Sequence, residues 1–344
     1  MRILVTGGAG YIGSHTIIEL INQGYNEVIS VDNYLNSKPD TYNRIEEITG
    51  KKIEYYDVDL SSKSASRELF NTVSFDVIIH FAALKSVPES VEHPIHCYQN
   101  NLNCLLNVLE GMEKHSIDRF IFSSSCSIYG NPDKLPVTED TPFGEAESPY
   151  ARSKQMGERM IEDLCKIRPE FQALSLRYFN PVGAHPSGLI GEAHSDRPNN
   201  LLPVITQTAA KLREKLIIFG KDYPSEDGTC IRDYIHVTDI ADAHVKGIHY
   251  MDQRQGDNNN YKAINLGSGN GTSVLEMVNT FEKITGVKVN YSFGERRDGD
   301  VYAIYANNEY AKNELSWEAK RSIEEMLSSA WKWQEHLLAT SSDN

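Results

Sequence analysis

The chain has 344 residues, of which 40% are hydrophobic and 24% charged, an ordinary balance for a globular protein long enough to build two joined cores. Its formal net charge of −14 excludes the broad basic face that a nucleic-acid or anionic-membrane partner requires, while local arginines can still hold an anionic substrate. Five cysteines without a CxxC pair suit a reducing compartment better than a disulfide framework or zinc site, and Met1-Arg2 runs directly into an apolar strand, so a cytoplasmic protein is expected.

Residues 2–6 read as a first buried strand. The turn after it, Thr6 to Gly13, carries Gly7, Gly10 and Gly13 in GxxGxxG spacing and opens a helix over 12–23. Glycine there permits a tight turn and lets a pyrophosphate approach the N–H groups of the helix start. The second strand, 27–31, runs into Asp32, about twenty residues on, where a carboxylate accepts the adenosine ribose hydroxyls and repels a 2′-phosphate, so NAD is expected over NADP. A third strand at 53–56 is followed by Asp59 and Leu60. Asp59 is open to two readings, a contact to the adenine amino group or a cap for the helix at 63–72. The fourth strand, 76–81, leads into Phe81, Ala82, Ala83, Leu84 and Lys85, small residues against which a cofactor can lie and a lysine that can reach phosphate or ribose. The helix at 94–115 carries Asn100 beside Asn101.

The fifth strand, 119–124, ends in serines up to Ser125, and a helix over 150–167 starts after Ser148-Pro149. Tyr150 and Lys154 sit at i, i+4 on this helix and share a face. Tyr34 and Lys38 match the same spacing in a polar turn, so position decides. A phenol ionises near pH 10 and is a poor base at neutrality; a nearby ammonium together with a positive nicotinamide ring would lower that value. A fall of about three units corresponds to roughly 4 kcal/mol. The phenolate then takes a proton from an alcohol as the carbon gives up hydride, with Ser125 holding the alcohol in register.

A sixth strand covers 172–178. Beyond Asn180 the pattern loosens: 181–203 reads as loop, 231–237 as a strand, a helix begins at Asp239, 262–266 is a strand-like run, and helices lie near 273–285 and 320–337. Strand–helix alternation predicts an α/β fold, a Rossmann-type doubly wound parallel sheet over 1–180 with a smaller C-terminal α/β substrate domain over 181–344, some segments of which are expected to pack back on the first domain. His80, His185 and His236 lack ligand spacing, and no metal is expected.

Thr6 to Gly13, Ser123 to Ser125, Tyr129-Gly130, Tyr150 to Lys154, Leu176 to Pro181, Arg232 to Val237 and Arg297 to Asp300, with shorter matches between, resemble the extended short-chain dehydrogenase/reductase family over nearly the whole chain. The resemblance implies tightly held NAD and inversion at C4 of a UDP-linked hexose. It implies cofactor contacts at Tyr11, Ile12, Asp32, Asn33, Tyr34, Leu35, Asn36, Ser37, Asp59, Leu60, Phe81 to Lys85, Asn100, Lys154 and Phe179. It places UDP-sugar contacts at Asn180, Asn200, Ile217, Ile218, Phe219, Arg232, Arg297 and Asp300, and a homodimer formed by the helices at 94–115 and 150–167. Two arginines suit a diphosphate, although Arg232 beside Asp233 also reads as a plain salt bridge. A dehydratase of this family needs an Asp-Glu pair where this chain has Cys126 and Ser127; a non-catalytic sensor would have lost the tyrosine or lysine. The position that sets sugar-pocket size holds Ile304, intermediate between the residues associated with plain and N-acetylated hexoses, which leaves both open.

Overall fold

A computed structural model describes residues 1–192, 200–254, 260–297 and 301–341. The chain runs β1 (Arg2–Thr6), α1 (Tyr11–Asn22), β2 (Glu27–Asp32), α2 (Asp40–Thr49), β3 (Glu54–Asp57), α3 (Lys63–Thr72) and β4 (Val77–His80). Next come α4 (Val87–Glu92), α5 (Pro94–Lys114), β5 (Arg119–Ser125), a 3-10 turn (Cys126–Tyr129), α6 (Pro149–Ile167), β6 (Gln172–Tyr178) and β7 (Asn180–Val182). Then follow α7 (Leu201–Ala209), β8 (Leu216–Phe219), β9 (Ile231–Arg232), β10 (Tyr234–His236), α8 (Val237–Gln253) and β11 (Tyr261–Leu266). The last are β12 (Thr272–Ser273), α9 (Val274–Thr285), β13 (Tyr291–Gly294), β14 (Ala303–Ile304), α10 (Glu309–Leu315) and α11 (Ile323–Ser341).

Seven strands pair in the order β11-β6-β5-β4-β1-β2-β3, all parallel. Its central strands are buried on both faces, which is why they read as continuous apolar runs rather than alternating ones. Ile3, Val5, Ile79, Ile121 and Leu174 face one cluster with α1 and α8, while Leu4, Ile78, Phe120, Phe122 and Ala173 face the other with α3, α5 and α6. The chain leaves β1 towards β3 on one side and returns through β4 to β11 on the other. The crevice at the carboxyl ends of β1 and β4 is therefore the switch point where such sheets bind ligands.

Several expectations change. The 262–266 run is β11, an edge strand of the large sheet paired along β6. The single strand expected at 231–237 splits at Asp233 into β9 and β10, which join different small sheets. The expected loop 181–203 contains the start of α7. A third core joins α7, α9, α11 and β8 through Leu202, Ile205, Ile218, Phe281 and Leu327. Among the described residues no helix is long and apolar enough to cross a membrane.

Burial holds four histidines neutral: His15 and His80 are pushed down to about 3, and His236 and His244 to about 4. Below the ordinary value of 6.5 the unfolded chain therefore binds protons that the folded chain refuses, and stability falls as the pH drops from 6.5 towards 4. At about one unit below the ordinary value each histidine costs on the order of 1 kcal/mol. Urea unfolding is expected to show a lower midpoint at pH 5.5 than at pH 7.5 (both approximate set points). An unchanged midpoint would contradict these neutral histidines.

Candidate active site

The loop after β1 is hooked to β2, with the Gly7 N–H donating to the Val31 carbonyl at 2.7 Å. Gly7 has φ +68°, and a Cβ there would lie 2.9 Å from the Ala82 nitrogen. At Gly13 a Cβ would lie 2.3 Å from the Gly7 carbonyl oxygen. Gly10 starts α1 with no side-chain cap. Among the described residues the N–H groups of Tyr11, Ile12 and Gly13 have no acceptor, so the helix presents free donors at a glycine cradle. A dinucleotide pyrophosphate fits those donors and that close backbone approach.

Asp32 closes the cradle. Its carboxylate accepts the Ala9 N–H at 3.0 Å, the Tyr34 N–H at 2.9 Å and the Ser37 hydroxyl at 2.9 Å, and Asn33 accepts the Leu35 N–H at 3.2 Å. The segment to Ser37, with Leu35 and Asn36 exposed, thus folds around one carboxylate. Asp59 accepts the Ser61 N–H at 2.9 Å, and the cap of α3 is Ser62. Leu60 is buried. After β4, the N–H groups of Phe81 and Ala82 bond to the carbonyl and hydroxyl of Thr6, which sets the Phe81–Lys85 loop against the glycines. Leu84 is held at both main-chain groups by Asn101, which also reaches Ser153, while Asn100 only donates to Asn101. Sequence reading singled out Asn100; the buried anchor is its neighbour. Lys85 pairs with Glu192 at 2.7 Å, and Glu192 also accepts from Asn200.

Ser148 caps α6 by accepting the Ala151 N–H at 3.1 Å, with Pro149 in the first turn. That start places Tyr150 half-buried and Lys154 buried along one face against the end of β5. The Lys154 ammonium donates to the Ser123 carbonyl at 2.6 Å and stands 5.8 Å from the Tyr150 ring centre. The Ser125 hydroxyl accepts from the Ser127 N–H at 3.2 Å and hydroxyl at 2.9 Å, and it lies close enough to the Tyr150 phenol to pull its ionisation down. The three residues expected to cooperate are therefore in one place.

Their electrostatics show what the protein contributes without the nicotinamide charge. Burial pushes the Tyr150 phenol up to about 12, against the pull of Ser125, and burial lowers Lys154 to about 8. The protein alone keeps the phenol protonated, because the ammonium is turned to the Ser123 carbonyl while the desolvation of an anion acts in full. Lowering the phenol then depends on a further positive charge beside it.

On the far side, Phe179 is buried and Asn180 begins β7, its side-chain oxygen buried with no partner among the described residues. Ile217 and Phe219 are half-buried, whereas the Ile218 side chain points into the third core, so only its main chain is free to meet a ligand. The Arg297 guanidinium lies 3.9 Å from the Phe219 ring centre. Arg232 donates to the carbonyls of Ile231 and Val301, both at 2.9 Å, while the Asp233 carboxylate takes the N–H groups of Ser268, Gly269 and Ala306. The carboxylate next to Arg232 thus organises main chain, and this is what splits β9 from β10. Asp300 lies outside the described residues. Ile304, on β14 opposite Arg232, packs with Ile128 and Phe179. Cys126 lies within electrostatic reach of both Tyr150 and Arg232, which joins the two halves of the site. Among the described residues no group of three His, Cys, Asp or Glu side chains is placed to hold a metal ion.

The profile of the NAD dependent epimerase/dehydratase family matches residues 3–267. A UDP-glucose 4-epimerase of Bacillus subtilis (strain 168) is 48% identical over 334 residues, 97% of each chain. Among solved structures, a UDP-glucose-4-epimerase from Stenotrophomonas maltophila with bound NAD and formylated UDP-arabinopyranose superposes with a TM-score of 0.94 at 40% identity, covering 99% of both chains. One from Bifidobacterium longum in complex with NAD+ and UDP gives 0.93 at 44% identity over 98% of both.

Proposed function

The chain belongs to the NAD dependent epimerase/dehydratase family, and on that premise we propose that it inverts C4 of a UDP-hexose, interconverting UDP-glucose and UDP-galactose. The observation that carries this reading is the Ser125–Tyr150–Lys154 group at the carboxyl end of β5, facing a glycine cradle that suits NAD. Bound NAD would supply a hydride acceptor at C4, the donor for its return and the further positive charge that lets the phenol ionise. Tyr150 takes the proton of the C4 hydroxyl, Ser125 orients that hydroxyl, and Lys154 adds positive charge beside the phenol. Arg232, Arg297, Asn180, Asn200 and the β8 edge hold the UDP end, so the oxidised hexose can turn while tethered and present its other face.

Nothing next to Ser125 supports elimination of water. Burial pushes the Cys126 thiol up to about 12, so that position exchanges no protons near neutrality. In this reading residues 1–180 bind the cofactor and 181–344 the UDP-sugar, with β11 contributed back to the first sheet. The chain acts in the cytoplasm, which suits its five free thiols.

The direct test offers the purified protein UDP-galactose and UDP-N-acetylgalactosamine separately, with no cofactor added. Conversion of UDP-galactose is expected; no conversion, with NAD released on denaturation, would contradict the reading. Slower conversion of the N-acetylated sugar is also expected, because the wall at Ile304 is an aliphatic chain packed back on Ile128. Ile304→Tyr is expected to cut the acetamido activity at least about tenfold and leave the plain hexose within about threefold, the scale of a pocket-size effect. Equal loss of both activities would remove Ile304 from the pocket wall.

A second copy of this chain is the expected partner. Ile95 and Leu106 on α5 are 71% and 47% exposed, eleven residues and so three helical turns apart on one face, with Met156 exposed on the adjoining α6. Light scattering is expected to give twice the mass of one chain, and a combined Ile95→Asp, Leu106→Asp variant one chain's mass. A variant that stays at double mass would place the interface elsewhere.

A further inference from the structure

Tyr150, Lys154 and Glu158 recur every four residues on α6 and meet three consecutive serines at the end of β5. Lys154 donates to the Ser123 carbonyl at 2.6 Å, Glu158 accepts the Ser124 hydroxyl, and Tyr150 faces the Ser125 hydroxyl, which pulls its ionisation down. Glu158 is 2% exposed, so its charge is held entirely by protein groups. Arg177 on β6 bonds both of its oxygens, through Nε at 3.0 Å and Nη2 at 2.7 Å, and Tyr261 on β11 donates at 3.2 Å. Arg177 is fixed in turn by the Tyr129 hydroxyl at 2.8 Å, in the turn that follows Ser125.

A core this size closes equally well on apolar side chains, and a buried ion pair adds little to stability over a packed hydrophobic substitute. What the pair adds is direction. Its oxygens fix the strand end between the two residues that meet Lys154 and Tyr150, from the next turn along the same helix face. We propose that Glu158 is a positioning residue, which through Ser124 sets the height of the β5 end against α6 so that the Ser123 carbonyl and Ser125 hydroxyl meet Lys154 and Tyr150 together. This rests on the reading of Ser125, Tyr150 and Lys154 as the reacting group.

The test compares Ser124→Ala, Glu158→Gln and the double variant, with Tyr150→Phe alongside, for kcat, KM for UDP-galactose, bound NAD and melting temperature. Ser124→Ala removes one hydroxyl and leaves the Arg177–Glu158 pair intact. It is expected to lower kcat roughly tenfold, the scale of a small misplacement of reacting groups, with KM within about twofold and NAD retained. Glu158→Gln is expected to lower kcat at least as much. The double variant is expected to be no slower than Glu158→Gln, because both changes cut one link. Parental kcat in Ser124→Ala, a rise in KM alone, or effects that multiply in the double variant would overturn the proposal, and Ser124→Ala decides if Glu158→Gln fails to fold. Full activity in Tyr150→Phe would instead overturn the reading on which the proposal rests.

Discussion

Tyr150→Phe is expected to retain bound NAD and to lose about 10²–10⁴-fold in turnover, the range spanned by loss of a positioned acid–base group. The change removes one oxygen and keeps a ring of the same shape at a half-buried position, so the fold has no reason to respond. The hydrogen bonds that shape the glycine cradle, Asp32 and the Phe81–Lys85 loop do not involve the phenol, so cofactor retention is set elsewhere. The loss falls on chemistry because neither neighbour of Ser125 can take the C4 hydroxyl proton in its place: Cys126 is held at about 12, and Lys154 has its ammonium committed to the Ser123 carbonyl. Stopped assays with NAD release on denaturation check both halves. A fully active variant would refute Tyr150 as the base.

Gly13→Ala is expected to strip the cofactor. The added Cβ would lie 2.3 Å from the Gly7 carbonyl oxygen and 2.9 Å from the Gly8 Cα, both main-chain atoms of the same loop, so no side chain can swing aside. The first turn of α1 must lift off the loop, and the free N–H groups of Tyr11, Ile12 and Gly13 move with it. Overpacking of this kind costs about 1–3 kcal/mol, and the loss of aligned donors adds to it. NAD co-purifying with the protein is expected to fall at least about tenfold, since 1.4 kcal/mol is a factor of ten in binding. Gly10→Ala meets the same carbonyl at 3.1 Å and is expected to be milder. Full NAD in Gly13→Ala would show that the pyrophosphate sits elsewhere.

Both predictions concern residues that the sequence exposes, because their chemistry is local. The glycine spacing, Asp32 at the end of its strand, and Tyr150 four residues before Lys154 are each read within one strand–turn–helix unit. The pieces that escaped are non-local or short. Nothing in 262–266 distinguishes a strand of a cap from the edge of the large sheet, since its partner β6 lies about ninety residues earlier. β8 and β13 are four residues each and pair only with one another, and α2, rich in polar residues, resembles loop. Asp233 reads as a salt-bridge partner for Arg232 because its acceptor role depends on main chain from 268–269 and 306. The anchors Asn101 and Arg177 show only as polar residues inside apolar stretches, the one signal that could have marked them, and Glu158, between Gly157 and Arg159 on a polar helix, carries no such signal. Burial of the phenol is likewise a property of the assembled site, and in the protein alone it outweighs a lysine whose ammonium is turned to Ser123.

The central claim is that C4 loses hydrogen to a bound acceptor and receives the same hydrogen back while Tyr150 handles only the hydroxyl proton. UDP-galactose carrying deuterium at C4, converted without added cofactor and followed by mass spectrometry and proton NMR, tests this directly. Deuterium retained at C4 of the UDP-glucose product, with none gained there from heavy water, is the result predicted. Label lost to solvent would mean that C4 is inverted by exchange of a carbon-bound proton, and the account would not stand.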